Sequence, residues 1–316
     1  MRKLVCGLAL AAFASAAAAQ FPTKPIRAVV PFGAGSSTDI VMRIIAQPLG
    51  QALGQPIVVD NKPGADGIIA AVEVMKAAPD GHTIILATNS PLSAAPHLRK
   101  SLPYHPIDDF TPISFVGNYT FFIVVHPGVP AKSLGELIEY ARGNPGKLNY
   151  ATGNTTAIVS TAMFATLAKI RMQHIPYKTE PPAVTDILSG QIHLMFSSYS
   201  TVAPHLREGR LRALVTTLPE RSPLIPEVPS IVEAGFPKFP IVPWAGVVGP
   251  AKMPKEVVER LNRELNVILK RADVRESLAK QAFAPRGSTA EEMAAYVKEQ
   301  LEIWGKAIRD AGIQPE

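Results

Sequence analysis

The sequence predicts an α/β protein made of two domains joined by two crossing strands. Three observations carry this expectation. Short β-type runs alternate with helical periodicity along the chain, the pattern of βαβ units and a largely parallel sheet. The pattern breaks off and restarts at Phe121-Phe122-Ile123-Val124-Val125. After a final β-type run at Trp244–Val248, the chain closes with two long amphipathic helices, expected to pack back on the first domain.

The elements follow in order. Ile26–Val30 is a β-type run that ends at Pro31-Phe32-Gly33-Ala34-Gly35-Ser36-Ser37-Thr38-Asp39. Ile40, Val41, Ile44, Ile45, Leu49 and Leu53 then recur at helical spacing. Pro56–Val59 is a second strand, Asn61–Gly67 a loop, and an alanine-rich helix runs to about Ala78. Thr83–Ala87 is a third strand, ending at Thr88-Asn89-Ser90. In the second block, Ser133 with Glu136 forms a candidate capping box for a helix to Ala141. Leu148–Ala151 is a strand that leads through Thr152–Thr156 into a helix carrying Ile158, Met163, Leu167 and Ile170. Gln173–Ile175 is a strand, Ala183–Leu188 a helix, and Ile192–Phe196 a strand ending at Ser197-Ser198-Tyr199-Ser200. Leu211–Thr216 is another strand, and Arg221–Pro243 is proline-rich and irregular. The closing helices use Val257, Leu261, Leu265 and Leu269, then Met293, Val297, Leu301 and Ile308. Crossings are expected near Phe121–Val125 and Pro240–Val247, which puts 20–122 and 244–316 in domain 1 and 123–243 in domain 2.

Composition narrows the possibilities. The chain has 316 residues, 47% hydrophobic and 18% charged, enough apolar content for real cores and too much for disorder. Residues 1–19 read as a signal peptide: Arg2 and Lys3, the apolar run Leu4–Ala18, and Ala17-Ala18-Ala19 before Gln20. A retained N-terminal anchor is the alternative. The single cysteine, Cys6, lies in that segment, so the mature chain has no disulfide and no thiolate nucleophile. The net charge is +6, with the basic residues scattered and no arginine-rich run, which argues against nucleic acid. There is no Gly-x-Ser-x-Gly elbow, no P-loop and no His-Glu-x-x-His motif, and no catalytic residue, cofactor or metal site is assigned. His193 reads as a satisfied core histidine, and Trp244 and Trp304 as core or interface residues.

Three strand ends share one chemistry: Gly33–Thr38, Thr152–Thr156 and Ser197–Ser200. The first two lead into helices. Glycine lets the backbone approach a ligand, and free amides at a helix start favour a negative group. In open α/β sheets, ligands sit beyond the carboxyl ends of strands. Each loop also has a plainer reading, in which Ser, Thr and Asn cap a helix and do nothing more. Asp39 reads as a first-turn carboxylate favoured by the helix dipole, Asn61 as a turn former, and Asn89 as a strand-end residue facing a cleft.

The ordered segments resemble a known family. Phe21-Pro22-x-Lys24-Pro25-Ile26-Arg27-x-Val29-Val30-Pro31-Phe32-x-Ala34-Gly35-x-x-x-Asp39 is similar to the opening of the mature Bug-type receptors of tripartite tricarboxylate transporters. The likeness continues through Asn61-Lys62-Pro63-Gly64-Ala65-x-Gly67, Asp80-Gly81-His82-Thr83, Asn149-Tyr150-Ala151-x-Gly153 and His174-Ile175-Pro176-Tyr177-Lys178. It runs on through Asp186–Ile192, Pro226-Glu227-Val228-Pro229-Ser230 and Trp244-x-Gly246. The resemblance implies a two-lobed periplasmic-binding-protein fold of type II-like layout that closes on a small carboxylate. It also implies a monomer in the periplasm that delivers its ligand to membrane subunits of that transporter type. Carried over residue by residue, the first-lobe candidates are Phe32, Gly33, Ala34, Gly35, Ser36, Thr38 and Asn89. Those of the second lobe are Thr152, Gly153, Asn154, Thr155, Thr156, Tyr177, Ser197, Ser198, Tyr199 and Ser200. Two departures touch the pocket. Thr179-Glu180-Pro181-Pro182 stands where the family places a pair of glycines after Pro-Tyr-Lys, so stiffening prolines and a charge opposed to a second ligand carboxylate are expected there. Ala34-Gly35-Ser36 lacks a second glycine common in the family. Two other roles stay open: a ligand-loaded partner of a periplasmic sensor domain, and a secreted α/β enzyme.

Overall fold

The computed structural model describes residues 21–316 apart from 238 and 240. The expected signal peptide and Pro240, the start of the second expected crossing, lie outside the described residues. In chain order the elements are β1 (Ile26–Val30), α1 (Ser37–Leu53), β2 (Ile57–Asn61), α2 (Ile68–Met75), β3 (Thr83–Thr88), α3 (Ala95–Leu98), β4 (Phe110–Tyr119), β5 (Phe121–Val125), α4 (Leu134–Gly143), β6 (Asn149–Thr152), α5 (Thr155–Ala168) and β7 (Gln173–Pro176). There follow α6 (Glu180–Leu188), β8 (Leu194–Ser198), α7 (Tyr199–Arg207), β9 (Arg212–Thr216), β10 (Trp244–Pro250), α8 (Lys255–Lys270), α9 (Ala272–Ala279), β11 (Phe283–Pro285) and α10 (Ala290–Asp310).

Two sheets form two lobes. The first has the order β11-β4-β10-β3-β1-β2 and the second β7-β6-β8-β5-β9. The expected parallel pairing is present at β1–β2, β1–β3, β6–β7 and β6–β8. The sheets are nevertheless mixed, because β10 runs antiparallel to β3 and β4, and β5 antiparallel to β8 and β9. A chain that leaves one lobe and returns from the other re-enters its sheet in the opposite direction. Periodicity within single strands does not reveal that reversal.

Strand alternation divides the core. Ala28 and Val30 of β1, Ile84 and Leu86 of β3, and Ala245 and Val247 of β10 share one apolar cluster. Val29, Ile85, Ala87, Trp244 and Val248, their neighbours in sequence, face a second cluster on the opposite side of the sheet. Phe121, Ile123 and Val125 of β5 join the first cluster, and Phe122 and Val124 a third. One apolar cluster therefore runs through both lobes. Trp244 and Trp304 are fully buried in it or against it.

The chain passes between the sheets at Thr120, the single residue between β4 and β5. The Thr120 amide donates to the Ala282 carbonyl at 3.1 Å, and its carbonyl accepts from the Tyr199 amide at 3.1 Å. The return runs through residues 217–243, and Pro243 lies beside the outgoing strand, accepting from the Tyr119 amide at 2.9 Å.

Five elements went unread in the sequence: α3, β4, α7, α9 and β11. β4 contains Pro112 and Gly117, which break a strand pattern. Pro112 sits opposite Val248 beside a register shift, where a strand tolerates proline. α9 is one short helix, and β11 spans three residues. At the candidate capping box, Ser133 Oγ accepts from the Glu136 amide at 3.2 Å, but Glu136 returns to the Lys132 amide at 2.7 Å and not to Ser133.

Gly117 is a fixed requirement of this sheet. Its φ is 155°, and a Cβ there would lie 2.3 Å from the Ala284 carbonyl oxygen across the β4–β11 pair. Gly117→Ala is expected to cost about 2–3 kcal/mol through backbone displacement, a fall of several degrees in Tm. Thermal denaturation followed by circular dichroism checks this, and an unchanged Tm would contradict it.

Candidate functional site

The first-lobe wall is set by the turn from β1 into α1. Ser36 caps α1, its Oγ accepting from the Asp39 amide at 3.3 Å. Gly35 turns the loop with φ 79° and donates its amide to Asp39 Oδ2 at 3.0 Å. Arg43 Nε donates to both Asp39 oxygens at 3.0 Å. Asn61 Nδ2 donates to Asp39 Oδ1 at 3.0 Å and to the Phe32 carbonyl at 2.9 Å. Burial alone would raise the Asp39 carboxyl, but the donors Arg43, Gly35 and Asn61 outweigh it and hold the group below the usual carboxylate range. Asp39 is structural, as expected. Asn61 does more than form a turn, since it ties the end of β2 to the loop and the helix.

With Asp39 and Ile40 served by Ser36, the Ser37 and Thr38 amides have no acceptor among the described residues. The second lobe repeats the device. Asn154 caps α5, its Oδ1 accepting from the Ala157 amide at 2.9 Å and its carbonyl from Ile158 at 3.2 Å. The Thr155 and Thr156 amides are left without an acceptor among the described residues.

Next to that cap stands Glu180, 5% exposed. Asn154 Nδ2 donates to its Oε1 at 2.9 Å. Ser198 Oγ and Thr201 Oγ1 donate to its Oε2 at 2.7 and 2.8 Å, with Ser197 Oγ at 3.5 Å. Burial raises its carboxyl above the ordinary value, and the hydroxyl and carboxamide donors pull against it. The expected stiff turn at Thr179–Pro182 is instead the cap and first turn of α6. Proline is tolerated there because those amides have no helical partner anyway. Gly153 is what lets this turn approach, since a Cβ on it would lie 2.5 Å from the Glu180 nitrogen.

The two walls touch. Asn89 Nδ2 donates to Thr156 Oγ1 at 2.7 Å, and Thr155 Oγ1 to Ser90 Oγ at 2.6 Å. Ser200 Oγ donates to Ser37 Oγ at 2.7 Å, and Ser37 Oγ to Ser198 Oγ. Between the walls lies a cavity of about 30 Å³. That is room for a water or two and small beside an organic acid.

Of the residues expected at the site, Phe32, Ser36, Thr38, Asn89, Gly153, Asn154 and Thr156 line this cavity. Gly33 lies beside Thr179 of the other lobe, and Gly35 and Ala34 are exposed loop residues. Thr155, Ser197, Ser198 and Ser200 stand behind the lining, in the contacts given above. Thr152 turns to His174 at 2.6 Å, the Tyr177 hydroxyl is held by Asp186, and Tyr199 packs on Phe122, so these three are not brought to the cavity. Sequence reasoning missed Ser37, Thr88, Ser90, Tyr119, Phe121 and Pro243, and did not count Glu180 among the contacts. Ser37, Thr88 and Ser90 adjoin residues that were read. Tyr119, Phe121 and Pro243 come from the crossings, which carry no motif. His193 is half-buried just before β8, its Nδ1 accepting from the Asn149 amide at 2.8 Å. Among the described residues no group of three His, Cys, Asp or Glu could hold a metal ion, and no helix is long and apolar enough to cross a membrane.

A family model described as the tripartite tricarboxylate transporter family receptor matches residues 41–313. The chain belongs to this family. Its likeness to solved members is close. R. palustris Rpa4515 with adipate superposes on the receptor with a TM-score of 0.91 at 32% identity, over 94% of this chain and 100% of that one. Periplasmic binding protein BugD gives 0.89 at 30% identity, over 94% and 100%. MatC from Rhodopseudomonas palustris with bound malate gives 0.84 at 31% identity, over 91% and 100%. The receptor is thus of the Bug type, two-lobed, and a substrate-binding protein rather than an enzyme.

The Asp39 knot predicts a pH dependence. Its carboxyl sits below the ordinary value of about 3.9, so its contribution is complete above that value and is lost as pH falls through the folded one. Asp39→Asn is expected to lose about 1–3 kcal/mol at pH 7. The gap to wild type should narrow below about pH 4. Urea denaturation at the two pH values measures it, and a gap that stays constant would refute the assignment.

Proposed function

We propose that the receptor captures a small carboxylate by closure of its lobes in the periplasm, after removal of residues 1–19, and delivers it to the membrane subunits of a tripartite tricarboxylate-type transporter. In this reading residues 20–122 and 244–316 form one lobe and 123–243 the other, and the protein works as a monomer. The ligand carboxylate is held by the residues around the cavity: Phe32, Ser36, Thr38 and Asn89 on one side, Gly153, Asn154 and Thr156 on the other, with Gly33 at its edge.

One observation carries the reading. Two helix N-termini, one from each lobe, flank the same cavity, their first amides find no acceptor among the described residues, and hydroxyls surround them. Amides aligned with a helix dipole favour an anion, and they are placed before it arrives. That Rpa4515 holds adipate and MatC holds malate supports a carboxylate as the class of ligand.

Magnitudes set the mechanism. Hydrogen bonds to a charged group contribute roughly 1.5–3 kcal/mol each, so four give about 6–12. Association costs about 4–15 kcal/mol in lost freedom. Micromolar binding needs about −8 kcal/mol net. Polar contacts fall short, so closure must also bury the apolar body of the ligand, against Phe32, Tyr119, Phe121 and Pro243.

A thermal-shift panel of mono-, di- and tricarboxylates, aromatic acids and amino acids on the mature chain tests this. A true ligand at a hundred times its Kd adds about 2.7 kcal/mol, several degrees in Tm. A flat panel would overturn the reading. Thr156→Val removes the acceptor of Asn89 only in the closed form. It is expected to weaken ligand binding about fivefold or more by calorimetry, with little change in the ligand-free Tm.

A further inference from the structure

We propose that Glu180 is a specificity-determining residue of this receptor: it receives an ammonium group on the ligand, so that the protein takes an amine-bearing monocarboxylate in preference to a dicarboxylate of the same length. The inference rests on the carboxylate-capture reading and deepens it.

Three observations converge on Glu180. It lines the cavity while being 5% exposed, so the ligand meets a carboxylate almost wholly withdrawn from water. No cation balances it: among the described residues it forms no ion pair, and the cavity lining contains no Lys, Arg or His. Its neighbours are neutral donors, distributed unequally. Oε2 accepts from Ser198 and Thr201, with Ser197 at the limit of range, whereas among the described residues Oε1 accepts a side-chain donor from Asn154 alone. A carboxylate oxygen takes two donors comfortably, so Oε1 keeps one position for a ligand N–H.

The plainer accounts do not balance the charge. Glu180 is the first residue of α6, and the dipole there favours a carboxylate by a modest amount that does not match the cost of burying an unpaired ion. Its donors all belong to its own lobe, yet it also lines the cavity between the lobes, where a purely structural acid has no reason to stand. The hydroxyl chain Ser200–Ser37–Ser198 ends on this carboxylate, and Ser37 is its one member from the other lobe, so contact between the lobes adds a hydroxyl to the network around Glu180. A ligand carboxylate against the Ser37, Thr38, Thr155 and Thr156 amides, with an ammonium at its other end toward Glu180, would be balanced at both ends. A second carboxylate would meet like charge in a desolvated site.

Calorimetry with length-matched acids decides the matter. The probes are 6-aminohexanoate, adipate and hexanoate, and in a shorter series 4-aminobutanoate, succinate and butanoate, each titrated into wild type and Glu180→Gln. In at least one series, wild type is expected to bind the amino acid at least tenfold more tightly than the diacid, and Glu180→Gln to shrink that ratio at least tenfold while the simple monoacid changes little. A structural role would weaken all three acids alike and would overturn the proposal. So would a wild type that binds monoacid, diacid and amino acid equally, a result that leaves carboxylate capture intact. Should no acid of either series bind, the role of Glu180 falls, while carboxylate capture is decided by the wider thermal-shift panel. The wild-type ratio stands by itself if the variant does not fold.

Discussion

The site depends on one buried carboxylate, Asp39. Its donors come from the turn (Gly35), from its own helix (Arg43) and from the neighbouring strand (Asn61). Asn61 also holds the Phe32 carbonyl, so β1, β2 and α1 are joined at a single point. This fixes where α1 begins, and with it where the Ser37 and Thr38 amides aim. An anion site made of amides has no long side chain to adjust, so its accuracy is that of the backbone. A knot at the turn supplies that accuracy.

The facing lobe repeats the principle with other residues. Asn154 closes α5 as Ser36 closes α1, but its carboxamide also reaches Glu180. One side chain therefore links the helix cap, which favours negative charge, to a fixed negative charge close by. The cleft is polar yet electrically asymmetric, with helix-start amides in both lobes and a buried carboxylate with its hydroxyls in the second alone. Gly153 makes this possible by leaving no side chain between the strand end and the α6 turn.

Much of this was legible in the sequence, and the rest was hidden for physical reasons. Strands buried on both faces, such as β1 and β8, announce themselves as apolar runs, and strand-end Gly, Ser, Thr and Asn mark the first turns of α1 and α5. β4 was hidden because its Pro112 and Gly117 are accommodated by a register shift and by a tight approach to β11, both tertiary effects. Tyr119, Phe121 and Pro243 reach the cavity only because the chain crosses there twice. Glu180 was noticed as a departure and its charge foreseen, but nothing local indicates that Ser198 and Thr201, eighteen and twenty-one residues on, return to cradle it.

Thr120 joins the two sheets by a single residue, with its amide bound to Ala282 and its carbonyl to Tyr199, and in the proposed closure it is the pivot. Tyr199 opens the same helix turn that carries Ser200 and Thr201, so the pivot and the polar latch are bolted to one piece of backbone. The arrangement is mechanical leverage. Displacement about such a pivot grows with distance from it, so atoms beside Thr120 travel little while the outer rims sweep through a wide arc. In the proposed closure, a few ångströms of ligand fit at the cleft would thereby be magnified into a change of outline that another molecule could read without touching the ligand.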